Sequence, residues 1–286
     1  MATHTFLVTG ASSGFGLEIV HAALKAGHKV IAACRNPDLA AEKSPAVSQL
    51  GGRWLKLDVT DANTEIIVRD AVQQYNIDIL INNAGYAMLG SLEEMSLAEF
   101  NSELQTNTVG AVRCIKGALP LFRSNERGTI VNISSAAAHY AAPACTAYAA
   151  SKFALEGLSE ALASEVGVFG IKVIAVTPGA FRTNLVSNLI TPESHIRAYD
   201  GTPARELVKL QIDSNGKQTG DPVKAAQKVL EASIEVAGGV RGTSADGELI
   251  RLVLGTDAVG AMQHKIGVLQ DTLQKMRDIA KSTDIH

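Results

Sequence analysis

Short, nearly unbroken apolar runs alternate along this chain with longer stretches of helical pattern, and that alternation restricts the fold more than any other property of the sequence. The runs at 4–9, 28–34, 53–59, 77–82, 128–134 and 171–177 have strand length, and Ile77-Asp78-Ile79-Leu80-Ile81 and Val173-Ile174-Ala175-Val176 are apolar at almost every position. A strand with one wet face alternates polar and apolar residues, whereas a continuous apolar run belongs to a strand covered on both sides. Helix-period stretches at 14–26, 61–75, 96–122 and 146–169 supply the covers. The pattern predicts an α/β fold, a doubly wound parallel sheet of the Rossmann type with helices on both faces.

The rhythm stops at Pro178. From 178 to 220, Pro192, Pro203, Gly201 and Gly216 punctuate polar clusters mixed with Leu185, Leu189 and Ile190, which reads as a partly helical excursion placed to act as a substrate lid. Asp221-Pro222 then opens a helix, since proline suits the first helical position, and 249–254 reads as a last strand. The expected organisation is one domain over 1–286: a cofactor-binding and catalytic core at 1–177, the lid at 178–220, and C-terminal helices with the last strand at 221–286. Val259, Met262, Ile266, Leu269, Leu273 and Met276 form one apolar stripe in the tail, expected to pack on the chain's own domain.

With 46% hydrophobic and 19% charged residues, the 286-residue chain can bury a large core, which excludes disorder. A net charge of −3 leaves no basic excess for a nucleic acid or an anionic membrane. The first residues are too short and uncharged a stretch for a signal peptide, and no apolar run approaches the roughly 18 residues of a membrane span, so the expected location is cytoplasmic. Cys34, Cys114 and Cys145 are too scattered to chelate, and none of the seven histidines pairs at ligand spacing, so no metal site is expected.

The first strand runs into Thr9-Gly10-Ala11-Ser12-Ser13-Gly14-Phe15-Gly16, at the mouth of a helix. Glycines there let backbone N–H groups approach a pyrophosphate, whose charge the helix N-terminus favours. The second strand ends in Cys34-Arg35-Asn36. A carboxylate at that place would accept hydrogen bonds from an adenosine ribose, whereas Arg35 suits a 2′-phosphate, so NADP(H) is expected over NAD(H).

Tyr148 and Lys152 stand four residues apart on one helix face, and a neighbouring ammonium is expected to lower the phenol pKa. Asn132-Ile133-Ser134-Ser135 closes the preceding strand. Tyr140 has alanine where a partner lysine would stand, and no nucleophile elbow surrounds Ser135, which argues against a serine hydrolase. Thr9 to Gly16, Asp58-Val59, Asn82-Asn83-Ala84-Gly85, Asn107, Ser135, Tyr148 with Lys152, and Pro178-Gly179 follow one another in an order and spacing that resembles the short-chain dehydrogenase/reductase family over about the first 185 residues.

That resemblance implies roles. Tyr148 would be the general acid or base and Ser135 would hold the substrate oxygen. Lys152 would bind the nicotinamide ribose, and Asn107 would order a water beside it. Gly10, Ser12, Ser13, Gly14 and Gly16 would cradle the pyrophosphate, with Asp58 and Val59 at the adenine. Asn83, Ala84 and Gly85 would line the cofactor with backbone, and Pro178, Gly179 and Thr183 would meet its nicotinamide end. His139, Tyr140, Phe181, Leu185 and Leu189 are candidates to line the substrate pocket. Their apolar character, without a cluster of lysine and arginine, points to a hydrophobic ketone, aldehyde or alcohol. The expected activity is NADPH-dependent carbonyl reduction. The alternatives are an alcohol or hydroxysteroid-type dehydrogenase working oxidatively, or an NADPH-sensing protein without turnover. A homodimer or homotetramer built through the long helices is the expected assembly.

Overall fold

The computed structural model describes residues 2–238 and 249–285. Among them, seven strands form one wholly parallel sheet. They are β1 (Thr5–Thr9), β2 (Lys29–Cys34), β3 (Arg53–Lys56), β4 (Ile79–Asn82), β5 (Gly128–Ile133), β6 (Ile171–Pro178) and β7 (Ile250–Leu254), in the order β3-β2-β1-β4-β5-β6-β7. The order reverses between β1 and β4, and a doubly wound sheet opens a crevice at that switch, beyond the carboxyl ends of the strands.

Successive strand residues go to opposite faces. Phe6, Val8, Val30, Ala32, Ile79 and Ile81 meet α1 (Gly14–Lys25) and α9 (Pro222–Ala237) in one core. Leu7, Ile31, Ala33, Leu80 and Ile130 meet the second core, built on α4 (Thr64–Tyr75), α6 (Gly110–Ser124) and α7 (Thr146–Val166). Covering both faces explains the unbroken apolar runs, since each fully buried Leu, Ile or Val contributes roughly 1.5–3 kcal/mol. The short helices α2 (Pro37–Lys43) and α3 (Pro45–Gln49), each opened by a proline, join β2 to β3 and had no counterpart in the sequence reading.

The helix expected at 96–122 is interrupted. It comprises α5 (Leu97–Leu104), a wider π-type turn over Gln105–Val109, and then α6. Ser96 starts α5 with a reciprocal capping box to Glu99. Between β6 and α9 lie a 3₁₀ turn at Arg197–Tyr199 and α8 (Pro203–Asp213). This stretch is tied to the segment after β4: Met88 bridges Ile190, Leu89 N–H donates to Ile190 O (2.9 Å), and Ile190 N–H donates to Ala87 O (3.1 Å).

The last helix, α10 (Thr256–Lys281), corrects the expectation for the tail. Only Ala258 is buried, and Ile266, Leu269, Leu273 (71% exposed) and Met276 face outward. The first turns are held by Gly179 and Tyr140, and beyond Lys265 the described residues are all exposed, so the stripe does not pack on its own domain.

Candidate active site

A cavity of about 1210 Å³ occupies the crevice at the sheet's switch point. This exceeds the roughly 300–1,000 Å³ of a single small-molecule pocket and gives room for two ligands side by side.

At one end lies the turn after β1. Gly10 (φ 63°) and Gly14 (φ 55°) take the left-handed region, and a Cβ on Gly10 would stand 2.8 Å from Ala84 Cα. Ser13 begins α1 without a side-chain cap, so the first N–H groups of that helix are open to an anion from the cavity. Gly16 does not line the cavity. A Cβ there would be 2.6 Å from Gly10 O, so its bareness serves the close packing of helix against turn. Thr9 Oγ1 accepts from Asn83 N–H and Ala84 N–H (both 3.0 Å), while Asn83 Nδ2 donates to Thr9 O and Gly10 O (3.0 and 3.2 Å). The asparagine side chain thereby locks the β1 and β4 turns together.

Arg35, Asp58 and Val59 border the same end. Hydrogen bonds from Thr60 N–H and Oγ1 hold the Asp58 carboxyl below its usual range, with Arg35 adding to the effect. A bare glycine-lined cradle and an open helix N-terminus fit the pyrophosphate of a dinucleotide, and Arg35 stands at the same end of the cavity. No group of side chains able to hold a metal ion occurs among the described residues.

At the other end, Ser135, Tyr148 and Lys152 line the cavity together. Lys152 Nζ lies 5.8 Å from the centre of the Tyr148 ring and donates to Ile133 O (2.8 Å). Burial drives the Tyr148 phenol up to about 12 against the pull of a hydrogen bond with Ser135, and burial drives Lys152 down to about 8. The expected lowering of the phenol pKa is thus reversed: desolvation outweighs the Ser135 hydrogen bond, and the shift favours the protonated phenol, the form a general acid requires.

β5 and α7 fix this geometry through buried amides. Asn82 Nδ2 donates to Asn132 Oδ1 (2.8 Å), Asn132 Nδ2 to Ser159 Oγ (2.8 Å), and Ser159 Oγ to Leu155 O (2.6 Å). Asn107, on the π-type turn, does not border the cavity. Its Oδ1 accepts from Tyr86 N–H (3.0 Å), and its Nδ2 donates to Tyr86 O (2.9 Å) and Ser151 Oγ (3.0 Å). It clamps the loop after β4 to α7, and a Cβ on Gly85 would come within 2.9 Å of its Oδ1.

Pro178, Gly179 and Thr183 line the cavity, as do Tyr140, Phe181, Leu185 and Leu189. Phe181 stacks on Phe15, with ring centres 6.2 Å apart. His139 stands outside the lining. Its half-buried imidazole turns toward Glu156, 3.9 Å away, so the proposed pocket contact is not made.

Sequence reasoning missed other wall residues, including Leu207 and Gln211 on α8 and Asp257 and Ala261 on α10. Asp257 Oδ2 accepts from Ala180 N–H (2.6 Å), and a Cβ on Gly179 would meet that carboxylate, so the tail helix props the Pro178-Gly179 turn. It also missed Glu94, a buried carboxylate that accepts from Ile196 N–H (2.8 Å), Ser91 Oγ and Arg205. A contact between Glu94 and a residue 111 positions away leaves no local mark in the sequence.

Comparisons with known proteins agree with this geometry. The family profile described as short chain dehydrogenase matches residues 4–194. An oxidoreductase of Passalora fulva, claN, is 46% identical over 186 residues, which is 65% of this chain and 85% of that one. A short-chain dehydrogenase of known structure from Streptomyces avermitilis superposes with a TM-score of 0.84 at 34% identity, covering 99% of this chain and 100% of the other. A Beutenbergia cavernae structure, described as an NAD(P)-dependent gluconate 5-dehydrogenase with NADP at low occupancy, gives 0.69 at 25% identity over 88% and 95% of the two chains. The chain belongs to the short-chain dehydrogenase/reductase family of oxidoreductases.

Proposed function

We propose that the protein reduces a hydrophobic ketone or aldehyde to the alcohol with NADPH, Tyr148 serving as general acid. The observation that carries this reading is the grouping of Tyr148, its phenol pushed above the usual range, with Ser135 and Lys152 at one end of a cavity whose other end is the glycine turn and Arg35.

When bound, NADPH supplies the hydride that adds to the carbonyl carbon. As negative charge grows on the carbonyl oxygen, the Ser135 and Tyr148 hydroxyls donate hydrogen bonds to it, an interaction stronger in the transition state than with the neutral ketone. The Tyr148 O–H bond then breaks as the alcohol O–H forms, and the neighbouring Lys152 ammonium stabilises the phenolate left behind. Gly10, Ser12, Ser13 and Gly14 would hold the pyrophosphate, Arg35 the 2′-phosphate and Asp58 the adenine. Asn83 to Gly85 would follow the cofactor with backbone. Pro178, Gly179 and Thr183 would meet the nicotinamide end, and Lys152 the ribose.

Leu89, Leu185, Val186, Leu189, Ile190 and Leu207 make the substrate end apolar, which supports a lipophilic carbonyl compound. The 178–220 stretch acts as its lid, and the molecule assembles as a homodimer or homotetramer in the cytoplasm. A panel of lipophilic ketones, followed by loss of NADPH absorbance, tests the activity. Tyr148→Phe is expected to keep NADPH affinity and lose about 10²–10⁴-fold in turnover. Unchanged turnover in that variant would overturn the reading.

A further inference from the structure

Two buried side chains that line the cavity, Ser134 and Gln218, carry polar atoms without a hydrogen-bond partner among the described residues. Ser134 adjoins Ser135 at the end of β5. Gln218 stands apart from the reacting groups, in the 178–220 stretch, and the chemistry of hydride and proton transfer makes no use of it. It is only 8% exposed, and both Oε1 and Nε2 of its amide are buried and unpartnered.

The backbone on either side of this amide is pinned to the reacting end of the site. Gly220 N–H donates to Ala180 O (3.2 Å), Arg182 N–H donates to Gly220 O (3.1 Å), and Arg182 Nε donates to Gln218 O. A Cβ on Gly220 would stand 2.5 Å from Phe181 Cδ1 and 2.6 Å from Ala180 O, so glycine is what lets the two segments lie this close. Gln218 is thereby held beside the residues that follow the Pro178-Gly179 turn. From the other direction the chain reaches it out of α8, which adds Leu207 and Gln211 to the cavity wall.

A purely apolar wall would be completed by leucine or methionine at this position. Taking an amide out of water without giving it partners is unfavourable, and buried amides in folded proteins are nearly always bonded. The amide of Gln218 offers two N–H donors and a carbonyl acceptor on a side chain with three rotatable bonds, so it can turn to meet a group inside the cavity. That group is uncharged: the cations among the described lining residues are Arg35, at the far end, and Lys152, already placed beside Tyr148, which leaves none to neutralise an anion. A hydroxyl fits best, since it donates to Oε1 and accepts from Nε2 at once.

We propose that Gln218 is a specificity-determining residue whose amide receives a hydroxyl of the substrate, so that the compound reduced is a lipophilic ketone or aldehyde carrying a second, uncharged oxygen function. The proposal rests on the reading of the protein as a carbonyl reductase and narrows its substrate class. With the carbonyl oxygen at Ser135 and Tyr148 and the hydroxyl at Gln218, the substrate is held at two points. An analogue that lacks the hydroxyl leaves the buried amide unpaired, and a site of that kind discriminates more sharply than an apolar pocket does.

The test uses medium-chain 2-alkanones, unsubstituted and with a single hydroxyl at successive carbons. Each is assayed for kcat/KM at saturating NADPH with the parent and with Gln218→Met, which keeps the length of the side chain and removes its polar atoms. In the parent, at least one hydroxylated isomer is expected to exceed the unsubstituted ketone by about 10- to 100-fold. In Gln218→Met that ratio is expected to fall to about threefold or less, with NADPH affinity retained in a fluorescence titration. Replacing an unpartnered buried amide by an apolar side chain leaves nothing unpaired, so thermal unfolding is expected to show no loss of stability. Gln218→Leu gives the same reading should the methionine variant fold poorly. Equal kcat/KM for every isomer in the parent overturns the proposal, as does a preference that survives in Gln218→Met. A fall in NADPH affinity in that variant also overturns it, by assigning the amide to the cofactor. The underlying reading fails separately, through an active Tyr148→Phe.

Discussion

Gly90→Ala tests the proposed closure of the substrate end by the 178–220 stretch. A Cβ at position 90 would sit 2.4 Å from Pro192 Cδ and 2.5 Å from Pro192 Cγ, where carbon atoms ordinarily rest about 3.5–4.0 Å apart. The pyrrolidine ring has no rotamer to swing away, so the Pro192 segment must retreat by about 1 Å or more. The neighbouring bonds of 2.9 and 3.1 Å between Ile190 and residues 89 and 87 are the first to stretch. Overpacking of this kind costs about 1–3 kcal/mol. The glycine turn and Arg35 lie at the far end of the cavity, so the cost falls on substrate closure. The expected effect is a rise in KM for a lipophilic ketone of about 5- to 150-fold, with NADPH affinity unchanged. Initial rates at saturating NADPH and a fluorescence titration of the cofactor measure the two quantities. Pro192→Ala removes the offending ring carbons, and adding it to Gly90→Ala is expected to restore most of the loss. An unchanged KM refutes the reasoning, as does a KM and an NADPH affinity that worsen together.

Arg35→Asp removes a cation from the end of β2 and puts a carboxylate there; NADPH affinity is expected to fall about tenfold or more at fixed salt while NADH affinity is maintained, as read by titration with each cofactor. Asn132→Leu leaves the Asn82 amide without its buried acceptor, and a destabilisation of about 1–3 kcal/mol is expected in urea unfolding. The Glu94 carboxyl is pushed up by burial but more strongly held down by Ile196 N–H, Ser91 and Arg205, to about 2 from an ordinary 4.5. A lowered carboxylate pKa stabilises the folded state above the ordinary value and loses that contribution as pH falls through the folded one. The tie between Glu94 and the 196–205 stretch is therefore expected to persist at neutral pH and fade from about pH 4.5 towards about pH 2. Limited proteolysis of that stretch checks it, and Glu94→Gln is expected to show the loosened pattern already at neutral pH.

The parallel sheet and its two helical layers were legible in the sequence because burial on both faces leaves a local mark: Phe6, Leu7 and Val8 must all be apolar when alternate side chains enter opposite cores. Thr9 to Gly16 was legible for a similar reason, since left-handed φ values at Gly10 and Gly14 admit few other residues. Tyr148 and Lys152 declared themselves through helical spacing, and Ser135 through the recognisable company of a family pattern. Each of these signals lies within a few positions along the chain.

What remained hidden depends on atoms brought together from far apart. The sequence could place Tyr148 beside Lys152, but the direction of its pKa shift followed from the desolvation that the surrounding fold imposes on the phenol. His139 read as a pocket residue until packing turned its ring to Glu156, and the tail stripe read as core until α10 was seen to leave the body after its first turns. Glu103 shows the division most clearly. As a letter in a helix it is an ordinary soluble-surface residue, and only the docking of α5 against α7 buries it completely. Sequence alone determined the architecture and pointed to the proposed reacting groups, because backbone periodicity and steric demand are local. Tertiary structure decided their protonation and the shape of the substrate end, because desolvation and Coulomb fields sum over everything the fold packs around a charge.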